Sequence, residues 1–216
     1  MPVAESPVGQ GGEVGGVEPA GGTTPDDPAL VERAKAGDAQ ARELLFLRHR
    51  GVAYKVAYRL LGNDQDAQDA VQDGLLKAFS ALADFDGRSA FRTWLVRVVT
   101  NATLDLGRKR GRRATLGLPH GNGRSDDHDD HTFEPAIDDD PARGLQRADL
   151  RRALDAALAR LSPKLRTTFV LFAEAGLTYQ EVAETLGIPI GTVMSRIHEA
   201  RQKLMGSEEL RAIDLP

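Results

Sequence analysis

Five basic side chains fall within six residues at Arg108-Lys109-Arg110-Gly111-Arg112-Arg113. One or two would satisfy a helix dipole, whereas this density suits phosphate contacts and an affinity that falls as salt rises. Upstream, the loop Ala83-Asp84-Phe85-Asp86-Gly87-Arg88 sets an aromatic ring beside basic residues. Single-stranded nucleic acid is bound that way, by stacking on a ring and neutralising the backbone. On its own neighbourhood, Phe85 reads better as a core residue. A third feature lies near the C-terminus. Thr178-Tyr179-Gln180-Glu181 is a capping box that opens a short helix, Gly187-Ile188-Pro189 turns the chain, and a longer helix follows. Val193, Ile197, Ala200 and Leu204 share one face of it. Ser195, His198, Glu199 and Gln202 occupy the opposite face, with Met194 and Arg196 on its flanks. A helix-turn-helix that reads base edges in the major groove is laid out like this, and so are helical hairpins that never touch nucleic acid.

Catalytic chemistry has less to stand on. The chain has no cysteine, which removes a disulfide framework, thiolate metal sites and a cysteine nucleophile. There is no Gly-rich phosphate loop and no serine triad in the sequence. His120, His128 and His131 stand among aspartates and could hold a cation loosely, but no apolar shell surrounds them to fix a geometry. The sequence therefore predicts no catalytic residue, no metal site, no cofactor and no enzymatic activity of its own. Its longest uninterrupted apolar run, residues 169–173, is too short to span a bilayer. The N-terminus does not read as a signal peptide, so a cytoplasmic protein without membrane insertion is expected.

The elements that must position these residues read as all-helical. Asp27-Pro28 suggests an N-cap followed by proline, with Gly37 ending a short helix. Asp38 caps a long helix to about Leu61, closed by Gly62, and Asn63 caps the next with Asp66 at its third position. That helix buries Ala67, Val71, Leu75, Ala78 and Leu82 and leaves Gln65, Asp69, Gln72, Asp73, Leu76 and Ser80 outside. Its outer face is either solvated or a docking surface for a basic helical partner, with Leu76 as apolar anchor. Ser89 starts a helix carrying Phe91, Leu95, Val98, Ala102 and Leu106 on one side. A further helix from near Arg147 to Leu161, then Ser162-Pro163, opens the second block.

The 216 residues carry a formal charge of −4, but the charge is segregated. Residues 1–27 hold five acids and no base, and residues 114–142 hold eight acids against one base. Residues 28–113 hold sixteen bases against ten acids, and residues 143–216 eleven against nine. Two mildly basic helical blocks are thus separated by acidic connectors, so the bulk charge does not argue against a polyanion. Residues 1–27, with seven glycines and four prolines, and the linker lack the apolar surface to offset ordering entropy and are expected to be disordered. The expected organisation is an N-terminal extension (1–27), a first domain (28–113), a flexible acidic linker (114–146), a helix-turn-helix domain (147–207) and a tail (208–216).

Together these residues resemble the extracytoplasmic-function (ECF) group of bacterial RNA polymerase sigma factors. The resemblance covers about residues 28–113 and 147–205. It rests on Asp66-Ala67-Gln68-Asp69-Ala70-Val71-Gln72-Asp73, Ser89-Ala90-Phe91-Arg92-Thr93-Trp94-Leu95, Asn101 and the basic run. In the second block it rests on Leu161-Ser162-Pro163, Leu177-Thr178-Tyr179-Gln180-Glu181-Val182-Ala183 and Gly191-Thr192-Val193-Met194-Ser195-Arg196-Ile197. It implies two small helical domains and two partners, core RNA polymerase and promoter DNA. Many members also bind an anti-sigma factor, which no residue here points to. The resemblance implies that Asp69, Gln72, Asp73 and Leu76 dock on the clamp helices of the polymerase largest subunit. It places Phe85 and Asn101 at the pocket for a flipped base of the minus-ten element, with Arg88, Arg92, Arg97, Arg108 and Lys109 on the surrounding backbone. Thr192, Met194, Ser195, Arg196, His198, Glu199 and Gln202 would face the minus-thirty-five element. Members often carry a basic residue where this chain has Met194 or Glu199. A carboxylate only accepts hydrogen bonds, so Glu199 would suit a cytosine amino group and predicts an unusual base preference or weak affinity upstream. Two rival readings are a conventional helix-turn-helix regulator, which needs a sensing or dimerisation domain, and a metal-dependent hydrolase on the linker histidines.

Overall fold

The structure, a computed structural model, describes residues 25–115 and 141–211. Among these the elements are helical: α1 (Asp27–Lys35), α2 (Ala39–Leu61), α3 (Asp64–Ser80), a 3-10 turn (Leu82–Asp84) and α4 (Phe91–Thr115). The second block continues as α5 (Pro141–Arg160), α6 (Pro163–Ala173), α7 (Tyr179–Leu186), α8 (Ile190–Met205) and α9 (Glu208–Arg211).

Local chemistry explains most boundaries. The Asp38 carboxylate accepts from the Gln40 and Ala41 amides at 2.9 and 3.1 Å and starts α2, and the Asn63 side chain accepts from the Asp66 amide at 2.9 Å to start α3. The capping box at Thr178 and Glu181 is fully formed, with both reciprocal bonds present. Gly187 follows α7 at φ 64°, a left-handed conformation that a side chain resists, and so makes the turn into α8. Several expected boundaries shift. Asp26, not Asp27, caps α1, and Pro28 sits one place deeper, because Asp26 Oδ1 is the atom that reaches the Ala29 amide. Helix α4 begins at Phe91 rather than Ser89, whose hydroxyl contacts only the neighbouring Ala90 carbonyl. Ser162 precedes α6 without a side-chain cap bond. Helix α5 begins at Pro141, so residues 141–146 are helix rather than linker, and α9 lies within the expected tail. Most of the expected N-terminal extension and acidic linker, with His120, His128 and His131, lies outside the described residues.

The first block is a helical cluster around Leu45, Ala53, Ala57, Ala67, Leu75 and Leu95. Its tightest crossing is α3 on α4. A β-carbon on Gly74 would stand 2.9 Å from Val99 Cγ2 and 3.0 Å from the Val99 α-carbon, so only glycine lets the helices meet there. Helices α6, α7 and α8 form a second cluster around Val170, Leu171, Val182, Val193 and Ile197, and a third joins α5 to the far end of α8 through Leu158, Leu161 and Leu204. The second cluster also contains Val56 of α2 and Val96 of α4. The two blocks therefore share apolar packing.

Candidate nucleic-acid and polymerase interfaces

Helix α3 presents its outer face as the periodicity requires. Gln65, Asp69, Gln72, Asp73, Leu76 and Ser80 are all exposed, while Ala67, Ala70, Val71, Leu75 and Ala78 are buried. Leu76 is 63% exposed in the middle of this face. Lys77 reaches back to Asp73 at 2.6 Å, an exposed i,i+4 pair of small worth, so the carboxylate is open to a stronger partner. Asp66 behaves differently from its neighbours. It is 1% exposed, accepts from the Asn63 amide at 2.7 Å and pairs with the Arg110 guanidinium.

That pairing changes the reading of the basic run. Arg110 is tied to the buried Asp66, and Arg108 is paired with Asp105 one turn earlier, holding the Asp105 carboxyl below the usual carboxylate range by hydrogen bonding. Lys109 is exposed, and the side chains of residues 111–113 lie outside the described residues. Along α4, Arg97 and Asn101 stand exposed one turn apart, with Arg108 two further turns along the same side.

Phe85 is not an exposed stacking surface. It is 6% exposed, edge-on to Phe91 with ring centres 5.9 Å apart and tilted against Trp94 at 5.1 Å, with Lys35 Nζ 5.7 Å above its ring. The turn at Phe85 aims the ring inward because a phenyl side chain gains more from two aromatic neighbours and the Lys35 cation over its face than from water. Arg88 is exposed and pairs with Asp86 at 2.5 Å.

Arg92 and Thr93 lie at the contact between the two blocks. The Thr93 hydroxyl donates to Glu181 Oε1 at 2.8 Å, and a β-carbon on Gly176 would lie 3.6 Å from Arg92 Nη1. The other Glu181 oxygen accepts from the Thr178 amide at 2.8 Å and the Thr178 hydroxyl at 2.9 Å. Burial pushes the Glu181 carboxyl up, but these hydrogen bonds and the nearby Arg92 charge together hold it below the usual glutamate range. Across the same contact the buried Arg59 pairs with Asp155 and lies 3.5 Å from Glu174, which Lys55 meets at 3.1 Å. Sequence reasoning missed Arg59, Asp155 and Glu174, since partners about a hundred residues apart leave no local signal.

Helix α8 buries Val193, Ile197, Ala200 and Leu204 and exposes Met194, Ser195, His198, Glu199 and Gln202, with Thr192 and Arg196 half-buried at the edges. Glu199 pairs with Lys203 at 2.8 Å, which balances its charge and would soften its repulsion from a DNA phosphate. The contact between the blocks uses α2 and α4 on one side and α5, α6 and α7 on the other, and this face and the outer face of α3 both stay open. No group of histidine, aspartate and glutamate side chains that could hold a metal ion occurs among the described residues.

A helical block with an open acidic face and a helix-turn-helix block correspond to two sequence families, sigma-70 region 2 over residues 45–113 and sigma-70 region 4 over residues 151–204. The sigma-H factor of Pseudomonas aeruginosa is 33% identical over 184 residues, which are 84% of this chain and 93% of the relative. The sigma-E factor of Escherichia coli is 31% identical over 180 residues, 82% of this chain and 92% of the relative. SigE of Mycolicibacterium smegmatis is 38% identical over 160 residues, 74% of this chain, which span only 58% of that longer protein. Among solved structures, CnrH in complex with the cytosolic domain of CnrY matches with a TM-score of 0.59 at 28% identity, over 83% of this chain and 95% of CnrH. RpoE of Bartonella quintana, in complex with the anti-sigma factor NepR, matches with a TM-score of 0.59 at 27% identity, over 80% and 98%. The chain belongs to the ECF group of RNA polymerase sigma factors, the subunits that give polymerase its promoter specificity at transcription initiation.

Proposed function

We propose that the outer face of α3 binds core RNA polymerase through Asp69, Gln72, Asp73 and Leu76. Arg97, Asn101, Arg108 and Lys109 of α4 take the minus-ten element, with Phe85 as a buried wall of the base pocket and Arg88 and Arg92 beside it. Helix α8 enters the major groove at the minus-thirty-five element with Thr192, Met194, Ser195, Arg196, His198, Glu199 and Gln202. Residues 28–113 and 147–207 are the two working domains. The protein acts without chemistry of its own: capture of an unstacked base offsets an unstacking cost of about a few kcal/mol, and tethering two modest readers raises the effective concentration of the second. The observation that carries this reading is that the outer faces of α3 and α8 remain uncovered although the two blocks pack on each other. An acidic face around an exposed leucine suits a basic helical partner, and a polar face on the second helix of a helix-turn-helix suits base edges. Because two structural neighbours are complexes with CnrY and NepR, an anti-sigma partner is part of the proposal.

The test reverses charge at Asp69→Lys and Asp73→Lys together. Both are exposed, so the thermal midpoint should hold within a few degrees while co-purification with core polymerase is lost. Retained co-purification removes the docking assignment. Run-off transcription from a linear template with purified core polymerase separates a sigma factor from a conventional regulator, which would not restore initiation to core enzyme.

A further inference from the structure

The outward side of α8 is chemically uneven. Its polar groups are mostly engaged within the helix: the Ser195 hydroxyl donates to the Thr192 carbonyl at 3.1 Å, the Gln202 amide donates to His198 Nε2 at 3.0 Å, and Glu199 holds Lys203. Two large apolar side chains in its first turns are left in water. Ile190 is 44% exposed and Met194 53%, and they stand four residues apart on one side of the helix. The other exposed large apolar residues among those described are separate. Leu76 belongs to the α3 face, and Leu47, Leu150 and Met205 lie on other helices or at the far end of α8, as single apolar residues commonly do. Only the Ile190–Met194 pair sits where a recognition helix makes its base contacts, in the N-terminal half.

We infer that Met194, flanked by Ile190, is a specificity-determining residue that reads thymine in the upstream element. The inference rests on the proposed role of α8 and names the base class that role selects. The major groove offers one apolar group on a base edge, the C5-methyl of thymine, and a thioether side chain has neither donor nor acceptor strength to recognise anything else there. Met194 is flexible enough to lie against a methyl group, and Ile190 adds an apolar neighbour that helps exclude water. The consequence is an upstream preference carried by methyl contact at one or two adjacent positions, beside any hydrogen bonds made by Arg196 or Glu199.

The experiment uses holoenzyme assembled from core polymerase and full-length protein. Wild type and Met194 variants select from promoters with a randomised upstream element. Each selected thymine is then replaced singly by deoxyuridine, which differs only by the methyl group. Wild type should lose about fourfold in binding at one or two thymines, the worth of one buried methyl group. Met194→Ala should be indifferent to deoxyuridine at those positions, Met194→Leu should keep the penalty, and Met194→Lys should move the selected base toward guanine. If randomising the upstream element leaves wild-type binding unchanged, the role of α8 itself fails and takes this inference with it. If binding depends on the element but deoxyuridine is silent at every thymine, or Met194→Ala keeps the full penalty, α8 still reads DNA and the thymine assignment is overturned.

Discussion

Asn101 and Phe85 carry the same proposed role and have opposite physical situations. Asn101 is exposed on α4, so Asn101→Ala should leave stability within about 0.5 kcal/mol while lowering open-complex yield in a permanganate footprint. Phe85 is wedged against Phe91 and Trp94, so Phe85→Ala should cost about 3–5 kcal/mol and lower the melting temperature sharply. Phe85→Leu keeps much of the volume and separates pocket from core: a folded protein with normal open-complex yield would remove Phe85 from the base pocket. Glu181 makes a pH prediction of its own. Its carboxyl is lowered in the folded state, so its contribution is present above the unfolded value, near 4.5, and is lost as pH falls through the lower folded value. Glu181→Gln keeps the capping geometry and removes the ionisable group. The variant should therefore show a flatter stability profile below about pH 4.5, measured by urea unfolding across pH.

The crossing of α3 on α4 decides how the proposed docking face is held. Gly74→Ala should gain about 1 kcal/mol in helix propensity. It also pushes a methyl group against the Val99 backbone, which cannot rotate away as a side-chain tip would. The clash wins, with a net loss of about 1–2 kcal/mol seen as a lower urea midpoint. Because α3 must shift to make room, affinity for core polymerase should fall as well, although Gly74 itself is buried and touches no partner. Helix α8 is positioned from both ends, by the Gly187 turn before it and by its own Leu204, packed in the α5 cluster, at its far end. Its exposed residues are consequently free to vary without cost to the fold, which is what a specificity surface needs.

The two blocks are joined by a contact of mixed character. Val56 and Val96 enter the core of the second block, and Arg59, largely buried, faces Asp155 and Glu174. Truncating one partner of such a pair strands the others, which is more damaging than replacing the whole set. Arg59→Ala should therefore separate the blocks, seen as a larger radius of gyration by small-angle scattering, while each keeps its helical content. An unchanged radius would mean that the apolar part of the contact suffices. The same contact half-buries Arg92 and ties Thr93 to Glu181, so the DNA contact proposed for Arg92 would be coupled to how the blocks sit.

Helix content, the caps at Asp38, Asn63 and Thr178, and the outward faces of α3 and α8 were legible from sequence, because each depends on residues within one or two turns of one another. The family itself was legible for the same reason, since its motifs are short and their order survives in the linear chain. What the linear chain did not contain was who meets whom across it. Asp66 takes Arg110 out of the basic run, Phe91 and Trp94 close on the Phe85 ring, and Arg59 finds two acids about a hundred positions away. Those outcomes depend on the free energy of burying a charge or a ring against particular neighbours, and the neighbours exist only once the helices have packed.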